Sequence, residues 1–269
     1  MAIAALHSAA TGLNALSTQI DVIANNLANS NTTGFKSSRV NFEDLLYQEK
    51  AQPGVENANG DERPAGIQVG LGVRVANTDR DFQMGSPINT GRPFDLMIDG
   101  PGFFKVDIRD DLGTGEGYTR AGNFFVNSEG EMVLGSVNGE RLVPSISVPD
   151  DATGVSITQD GIVNVSTAAD PSGTQVGQLE VTAFINPNGL IPIGGNVFIE
   201  SEASGPPVDG SPGSGSLGTI VQGFLESSNV DPVKELVELI KTQRAFEMNS
   251  QSIQAADQAL QVIANLRRF

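Results

Sequence analysis

The sequence predicts an α+β chain in which two terminal helices pair as a coiled coil and a β-rich domain occupies the centre. Three observations carry this. Apolar residues recur every seven positions at both ends, helix breakers are confined to the centre, and the centre shows strand-like alternation between turn signals. Residues 31–230 hold 30 of the 31 Gly and 13 of the 14 Pro, with 26 acidic and 11 basic residues. The ends, 1–30 and 231–269, together hold 6 acidic and 5 basic residues.

In the first segment, 1–30, Leu6, Leu13, Ile20 and Leu27 recur at intervals of seven, and Ala9, Leu16 and Ile23 follow the first three by three residues. That 3–4 alternation is the seam of a coiled coil. Gly12 weakens the helix by about 1 kcal/mol relative to Ala. The turn formers Asn29-Ser30-Asn31-Thr32-Thr33-Gly34 then end it. A connecting segment, 31–66, leads to the β-rich domain at 67–200, and 201–230 reads as a linker returning the chain to the last segment.

Phe103-Phe104-Lys105-Val106-Asp107-Ile108 begins as an apolar pair and then alternates. Phe124–Val126, Met132–Leu134 and Arg141–Val143 are separated by Asn127-Ser128-Glu129-Gly130 and Asn138-Gly139, a run of hairpins. Val155 to Val165 forms another around Asp160-Gly161, and Asn186-Pro187-Asn188-Gly189 marks a further turn. Gln52–Gly66 and Ser201–Gly218 have linker composition.

The last segment, 231–269, opens with Asp231 as N-cap, Pro232 at the first helical position and Glu235 near the positive end of the dipole. Leu239, Phe246, Ile253 and Leu260 recur every seven residues, with Thr242, Asn249, Ala256 and Ile263 as companions, so one leg of this seam is partly polar. The other faces are polar yet nearly uncharged. Residues 1–30 carry ten Ser, Thr, Asn and Gln but one charge, Asp21, and Met248–Asn265 carries only Asp257. Solvated helix faces are normally rich in Lys and Glu, so this composition points to close contact with several neighbours. Two ordinary amphipathic helices packed on a core remain the alternative.

Composition excludes several classes of function. A net charge of −16 opposes nucleic acid or anionic membrane as a partner. With no Cys there is no disulfide framework and no thiolate site, and one His leaves no multi-His metal site. No stretch approaches the roughly 18–20 apolar residues of a membrane span. Residues 1–20 carry no positive n-region, so no ordinary signal peptide is expected. Gly113-Thr114-Gly115-Glu116-Gly117 lacks the spacing of a phosphate loop, and Asp107, Asp110 and Asp111 form no EF-hand pattern. Asp95 and Asp99, four apart on one face of a strand-like run, have the spacing of an acid–base pair. With no Trp and two Tyr the aromatic lining of a glycosidase cleft is missing. No catalytic, cofactor or metal residue is assigned; a secreted β-rich hydrolase or adhesin is the competing class.

Ala24-Asn25-Asn26-Leu27-Ala28-Asn29-Ser30-Asn31-Thr32-Thr33-Gly34-Phe35-Lys36 resembles the N-terminal signature of the bacterial flagellar rod and hook proteins. Leu225-Glu226-Ser227-Ser228-Asn229-Val230-Asp231 and Gln243-Arg244-Ala245-Phe246-Glu247-Met248-Asn249 resemble their C-terminal signature, with Phe246 where that family more often has Tyr. Tyr118-Thr119-Arg120-Ala121-Gly122-Asn123-Phe124 is similar to a motif of their first β-domain. The stretch from Leu46 to Gly70 resembles an insert that separates the distal rod members from hook protein. The likeness covers nearly the whole chain.

What the resemblance implies is a structural subunit with no enzymatic activity and no cofactor. It would polymerise into a straight hollow distal rod that crosses the periplasm and transmits torque from motor to hook. Another rod or hook member is the nearer alternative. Implied partners are further copies of the chain, adjoining rod proteins, hook protein, a surrounding ring bushing and the flagellar export apparatus, which would replace a cleaved signal peptide. The expected subunit packing residues are Leu6, Leu13, Leu16, Ile20, Ile23, Leu27, Leu239, Phe246, Ile253, Leu260 and Ile263. The expected motif residues are Asn25, Asn26, Asn29, Gly34, Phe35, Ser228, Asn229, Gln243 and Arg244.

Overall fold

A computed structural model describes residues 2–54, 64–109, 115–168, 170 and 173–266. The chain divides into two units. Unit 1 comprises Met1–Ala28, Ser38–Asp79 and Asp231–Phe269; unit 2 comprises Asn29–Ser37 and Arg80–Val230.

Unit 1 contains helix α1 (Ala2–Ala28), strands β1 (Ser38–Asp44), β2 (Tyr47–Ala51), β3 (Ile67–Gly70) and all but the last residue of β4 (Val73–Arg80), and helix α2 (Pro232–Leu266). The two helices lie side by side. Asp231 caps α2 as its sequence requires: its Oδ1 accepts from the Val233 and Lys234 amides at 3.0 and 3.2 Å. β1 pairs with β4, and β2 with β3. Arg39 pairs with Asp79, Arg74 with Glu43, and Asn41 with Asn77 across the first of these ladders. The turn after β3 lies on α1. Ser8 Oγ donates to Gly70 O at 3.4 Å, and Thr11 Oγ1 accepts from Val73 N at 3.3 Å. Gly72 is required there. Its φ is +119°, and a Cβ would lie 2.1 Å from Thr11 Oγ1.

Unit 2 contains β5 (Pro87–Asn89), β6 (Leu96–Asp99), β7 (Phe104–Asp107), β8 (Glu116–Thr119), β9 (Phe124–Val126), β10 (Met132–Leu134), β11 (Arg141–Val143), β12 (Ala152–Ile157), β13 (Ile162–Thr167), β14 (Thr174–Gln178), β15 (Val181–Ala183), β16 (Ile191–Gly194), β17 (Val197–Ile199), β18 (Val208–Gly210), β19 (Thr219–Gln222) and β20 (Phe224–Glu226). Seven of these form an antiparallel sheet in the order β16-β17-β8-β7-β11-β10-β9. β12-β13-β14 form a second sheet, and β15–β18, β6–β19 and β5–β20 pair separately. The alternation read at Phe104–Asp107 is reproduced: Phe104 and Val106 are fully buried and Asp107 is exposed. Leu96, Ile98, Phe104, Val106, Phe124, Met132, Leu142, Val163, Leu179, Val181 and Ile220 form the main core. A second cluster gathers Leu190 with Phe103, Tyr118, Phe184 and Phe198, whose rings meet edge to face.

Two local expectations are corrected. Ser201–Gly218 is more than a linker, because Val208–Gly210 pairs with Val181–Ala183. Asp95 and Asp99 do not share an environment: Asp95 is buried and Asp99 exposed. Glu116 and Gly117 begin the returning strand of the β7–β8 hairpin, paired with Asp107 and Val106. Asp110, Asp111, Gly113, Thr114 and most of Gln52–Gly66 lie outside the described residues.

Gly122 shows how tightly the core is closed. Its carbonyl accepts from Leu96 N at 2.9 Å, and a Cβ would lie 1.6 Å from Leu96 O. Gly122→Ala must push these segments apart, with an expected cost of about 1–3 kcal/mol or more. Urea unfolding of unit 2, followed by Tyr118 fluorescence, measures the loss.

Candidate functional site

The residues singled out by sequence fall into two places, one in each unit.

In unit 1 they line the helix pair. Ile23 is buried, and Leu6, Leu13, Leu16, Ile20 and Leu27 are half-buried. Gly12 is buried because α2 comes close there: a Cβ on it would lie 3.1 Å from Asn249 Nδ2. The penalty that Gly12 imposes on helix propensity therefore permits a close helix approach. On α2, Leu239, Ile253 and Leu260 are half-buried and Thr242 is buried, donating through Oγ1 to Glu238 O at 2.8 Å. Phe246 sits at the margin of this face, 36% exposed. The Ile263 side chain lies outside the described ones. Gln243 and Arg244 point away from the seam; both are exposed, and Arg244 pairs with Glu247 at 2.9 Å.

α2 also carries a second apolar face. Val233, Leu236, Val237 and Ile240 follow the i, i+3, i+4, i+7 pattern of one helix side and are 71%, 45%, 46% and 58% exposed. Met248 is exposed as well. Sequence periodicity tracks only the seam and misses this stripe.

Asn26 secures the chain where it leaves the first helix. Its Nδ2 donates to Ser38 O at 2.8 Å and its Oδ1 accepts from Ser38 N at 2.9 Å. Asn25 is exposed, on the helix side away from this bond.

In unit 2 the signature residues build a clamp. Gly34 N donates to Glu226 O at 2.8 Å, and Asn229 N donates to Phe35 O at 3.3 Å. Asn229 uses its side chain fully. Its Oδ1 accepts from Ser37 N at 2.7 Å and its Nδ2 donates to Asp81 O at 2.6 Å. Ser228 Oγ accepts from Val230 N at 3.3 Å. Thr32 N donates to Asn29 O at 3.1 Å, making the turn expected after the helix. Gly34 has φ +69° and a Cβ would lie 2.7 Å from Ala121 N, so no other residue fits.

The centre of the clamp is ionic and dry. Lys36 Nζ lies 2.6 Å from Glu226 Oε1, with side-chain exposures of 0% and 1%. Lys36 Nζ also donates to Gln83 O at 2.6 Å, and Gly85 N donates to the same Glu226 oxygen at 2.8 Å. Glu226 Oε2 has no hydrogen bond but faces Arg120 Nε at 3.3 Å. Arg120 spends its remaining donors on Gly100 O and Gly102 O at 2.8–3.0 Å. Burial pulls Lys36 below its ordinary pKa of 10.5 despite the attraction of Glu226, and pulls Arg120 down for the same reason. Lys36, Arg120 and Glu226 stand inside the signature motifs, yet no sequence periodicity pairs charges this far apart.

The described residues contain no metal-binding group of His, Cys, Asp or Glu, and no helix among them is long and apolar enough to cross a membrane.

Comparison with known proteins accounts for where these residues fall. Residues 6–36 match a family profile described as flagella basal body rod protein, and 97–165 match the flagellar hook protein FlgE/F/G D1 domain. Residues 221–266 match the flagellar basal body rod FlgEFG protein C-terminal profile. The chain is 41% identical over 256 residues to the flagellar basal-body rod protein FlgG of Buchnera aphidicola, covering 95% of this chain and 96% of that one. It is 42% identical to the protein of that name from Caulobacter vibrioides, over 98% of this chain and 99% of that one. The Agrobacterium fabrum protein of the same name is also 42% identical, over 97% of this chain and 98% of its own length.

Two measurements probe the clamp. Glu226→Gln leaves Lys36 buried beside an uncharged amide, and is expected to cost about 3–5 kcal/mol in chemical denaturation. The second is pH dependence. Because the folded pKa of Lys36 lies below 10.5, the unfolded chain holds more protons in the window between the two values. The contribution of Lys36 to stability therefore rises with pH through that window and is flat below it. Wild type should gain on Lys36→Met as pH climbs toward 10.5, and a steady loss instead would reverse the assignment.

Proposed function

The chain belongs to the flagellar basal-body rod protein family and is a structural subunit of the flagellar rod; from that premise we propose that it builds the distal part, as a straight hollow shaft carrying torque to the hook. It is a component of the basal body and associates with other rod and hook proteins. The family is structural rather than enzymatic.

The observation that carries the reading is the unpartnered stripe Val233, Leu236, Val237 and Ile240 on a helix whose other face is already engaged. A helix with two apolar faces is built for more than one neighbour. We assign the stripe to packing between copies, with the two terminal helices of each chain running as a coiled coil. Polar but uncharged surfaces on both helices suit close approach, since amide and hydroxyl groups find partners there without stranding a charge.

The free subunit follows from the same physics. Ordering a helix costs about 1–2 kcal/mol per residue, and α2 keeps most of its surface exposed. We propose that 1–30 and 231–269 gain their order on assembly, so that growth needs an existing tip. The stretch 52–66 is assigned as a brace between neighbouring subunits, and the acidic centre as an outward surface that passes within the ring bushing. Export without a cleaved signal peptide through the flagellar export apparatus completes the reading.

Deletion in the source bacterium is the direct test, with basal structures expected to stop at a shortened rod without hook. Hooks on rods of normal length would end the distal assignment. For the stripe, Leu236→Asp with Ile240→Asp should leave the folded content of unit 2 intact and abolish rod completion, scored by electron microscopy of isolated basal bodies. In monodisperse wild-type protein, limited proteolysis should trim both ends and spare the centre.

A further inference from the structure

We propose that Gly34–Ser37 and Glu226–Asn229 form a mechanical clamp, loaded in shear, that carries tension applied through the two chain ends past the β-rich unit. The inference concerns the single chain and stands whether or not the chain builds the distal rod.

The argument starts from direction. The chain comes into unit 2 at Asn29 and leaves it for the last time at Val230. Gly34 is bonded to Glu226 and, one residue later, Phe35 is bonded to Asn229, so the two segments run the same way. Tension on the N-terminal end draws Gly34 back toward Asn29. Tension on the C-terminal end draws Asn229 forward toward Val230. These pulls are opposed along two neighbours of the same sense. The bonds between them are therefore strained together along the strand direction. In an antiparallel pair held at the same ends they would open one after another.

Side chains reinforce the same junction. Lys36 to Glu226 at 2.6 Å and Ser37 N to Asn229 Oδ1 at 2.7 Å bridge the pair in parallel with the backbone bonds. The outgoing segment is anchored to the unit by Gly85 N on Glu226 Oε1 at 2.8 Å and by Arg120 Nε on Oε2 at 3.3 Å. The incoming segment is anchored by Asp81 N on Ser37 O at 2.9 Å. The ion pair is shielded from solvent, so water cannot take over its bonds as they lengthen. Lys36 and Glu226 are 190 residues apart in sequence, and the tension path bypasses that whole length while the clamp holds.

The test is single-molecule extension of the full chain held by its N- and C-termini in an optical trap. After low-force extension of the helical ends, wild type should show one cooperative rupture. It should release the bypassed residues, a contour gain of about 60–70 nm at 3.3–3.6 Å per residue. Glu226→Gln should speed rupture at constant force by about 10- to 100-fold, the effect of a charge-assisted hydrogen bond on a barrier, and Asn229→Ala, which removes two neutral hydrogen bonds, by about 5- to 100-fold. Val163→Ala, a fully buried core change remote from the clamp, should lower resistance to urea but leave the rupture rate within about twofold of wild type, far from a barrier change of 1.36 kcal/mol. Should Glu226→Gln fail to fold, Asn229→Ala carries the comparison. Stepwise unravelling at low force in wild type would overturn the proposal. So would clamp variants that rupture at the wild-type rate, or a core variant that matches them.

Discussion

Three charged side chains with almost no access to water govern how unit 2 closes. Lys36, Glu226 and Arg120 are 0%, 1% and 3% exposed, and together they carry one more positive charge than negative. Taking such groups out of water costs several kcal/mol each unless every donor and acceptor is met. Here most of that demand is answered, by backbone as much as by counter-charge: Gln83 O and Glu226 take the Lys36 ammonium, two glycine carbonyls take the Arg120 guanidinium, and Glu226 Oε2 has only the facing charge of Arg120. An apolar cluster of the same volume could be as stable, but it would accept several registers. The ionic one accepts a single register, because any slip strands a buried charge.

The demand propagates into residues that carry no charge. For Glu226 to reach Gly85 N, its segment must pass so close that a Cβ on Gly85 would lie 2.0 Å from Ser227 O. For Gly100 and Gly102 to turn their carbonyls on Arg120 they adopt φ of +119° and +134°. Gly34 must lie against Ala121 at positive φ. Four glycines scattered through the sequence thus share one cause. Each is where the backbone has to approach or twist to keep the cluster satisfied.

What sequence reveals depends on how local the cause is. The seam of α1 is legible because a helix repeats its environment every few residues, and the hairpins are legible because Asn-Gly and Asp-Gly turns announce themselves. The heptad loses accuracy at Phe246, which sits at the edge of the seam: a helix of 3.6 residues per turn drifts against a repeat of seven. Val208–Gly210 is hidden in a Pro- and Gly-rich stretch, since a three-residue edge strand leaves no alternation to detect. The clamp is the least legible part. Gly34, Asn229 and Asn26 stand out through a family likeness, whereas Lys36, Arg120 and Glu226 look like ordinary surface charges until the fold brings them together.

Asparagine at positions 26 and 229 is explained by the boundary it serves. Ser37 belongs to unit 2 and Ser38 to unit 1, and each is fixed within its own unit by an asparagine amide. Asn26 both donates to and accepts from Ser38, while Asn229 accepts from Ser37 and donates to Asp81. Aspartate could supply the acceptor but not the donor, and would set a charge against two carbonyl oxygens. Serine could do either but is too short to span two backbones. A carboxamide is the smallest side chain that offers both functions at the end of a two-bond reach. At this boundary the backbone N–H and C=O of both serines are therefore paired, each within its own unit.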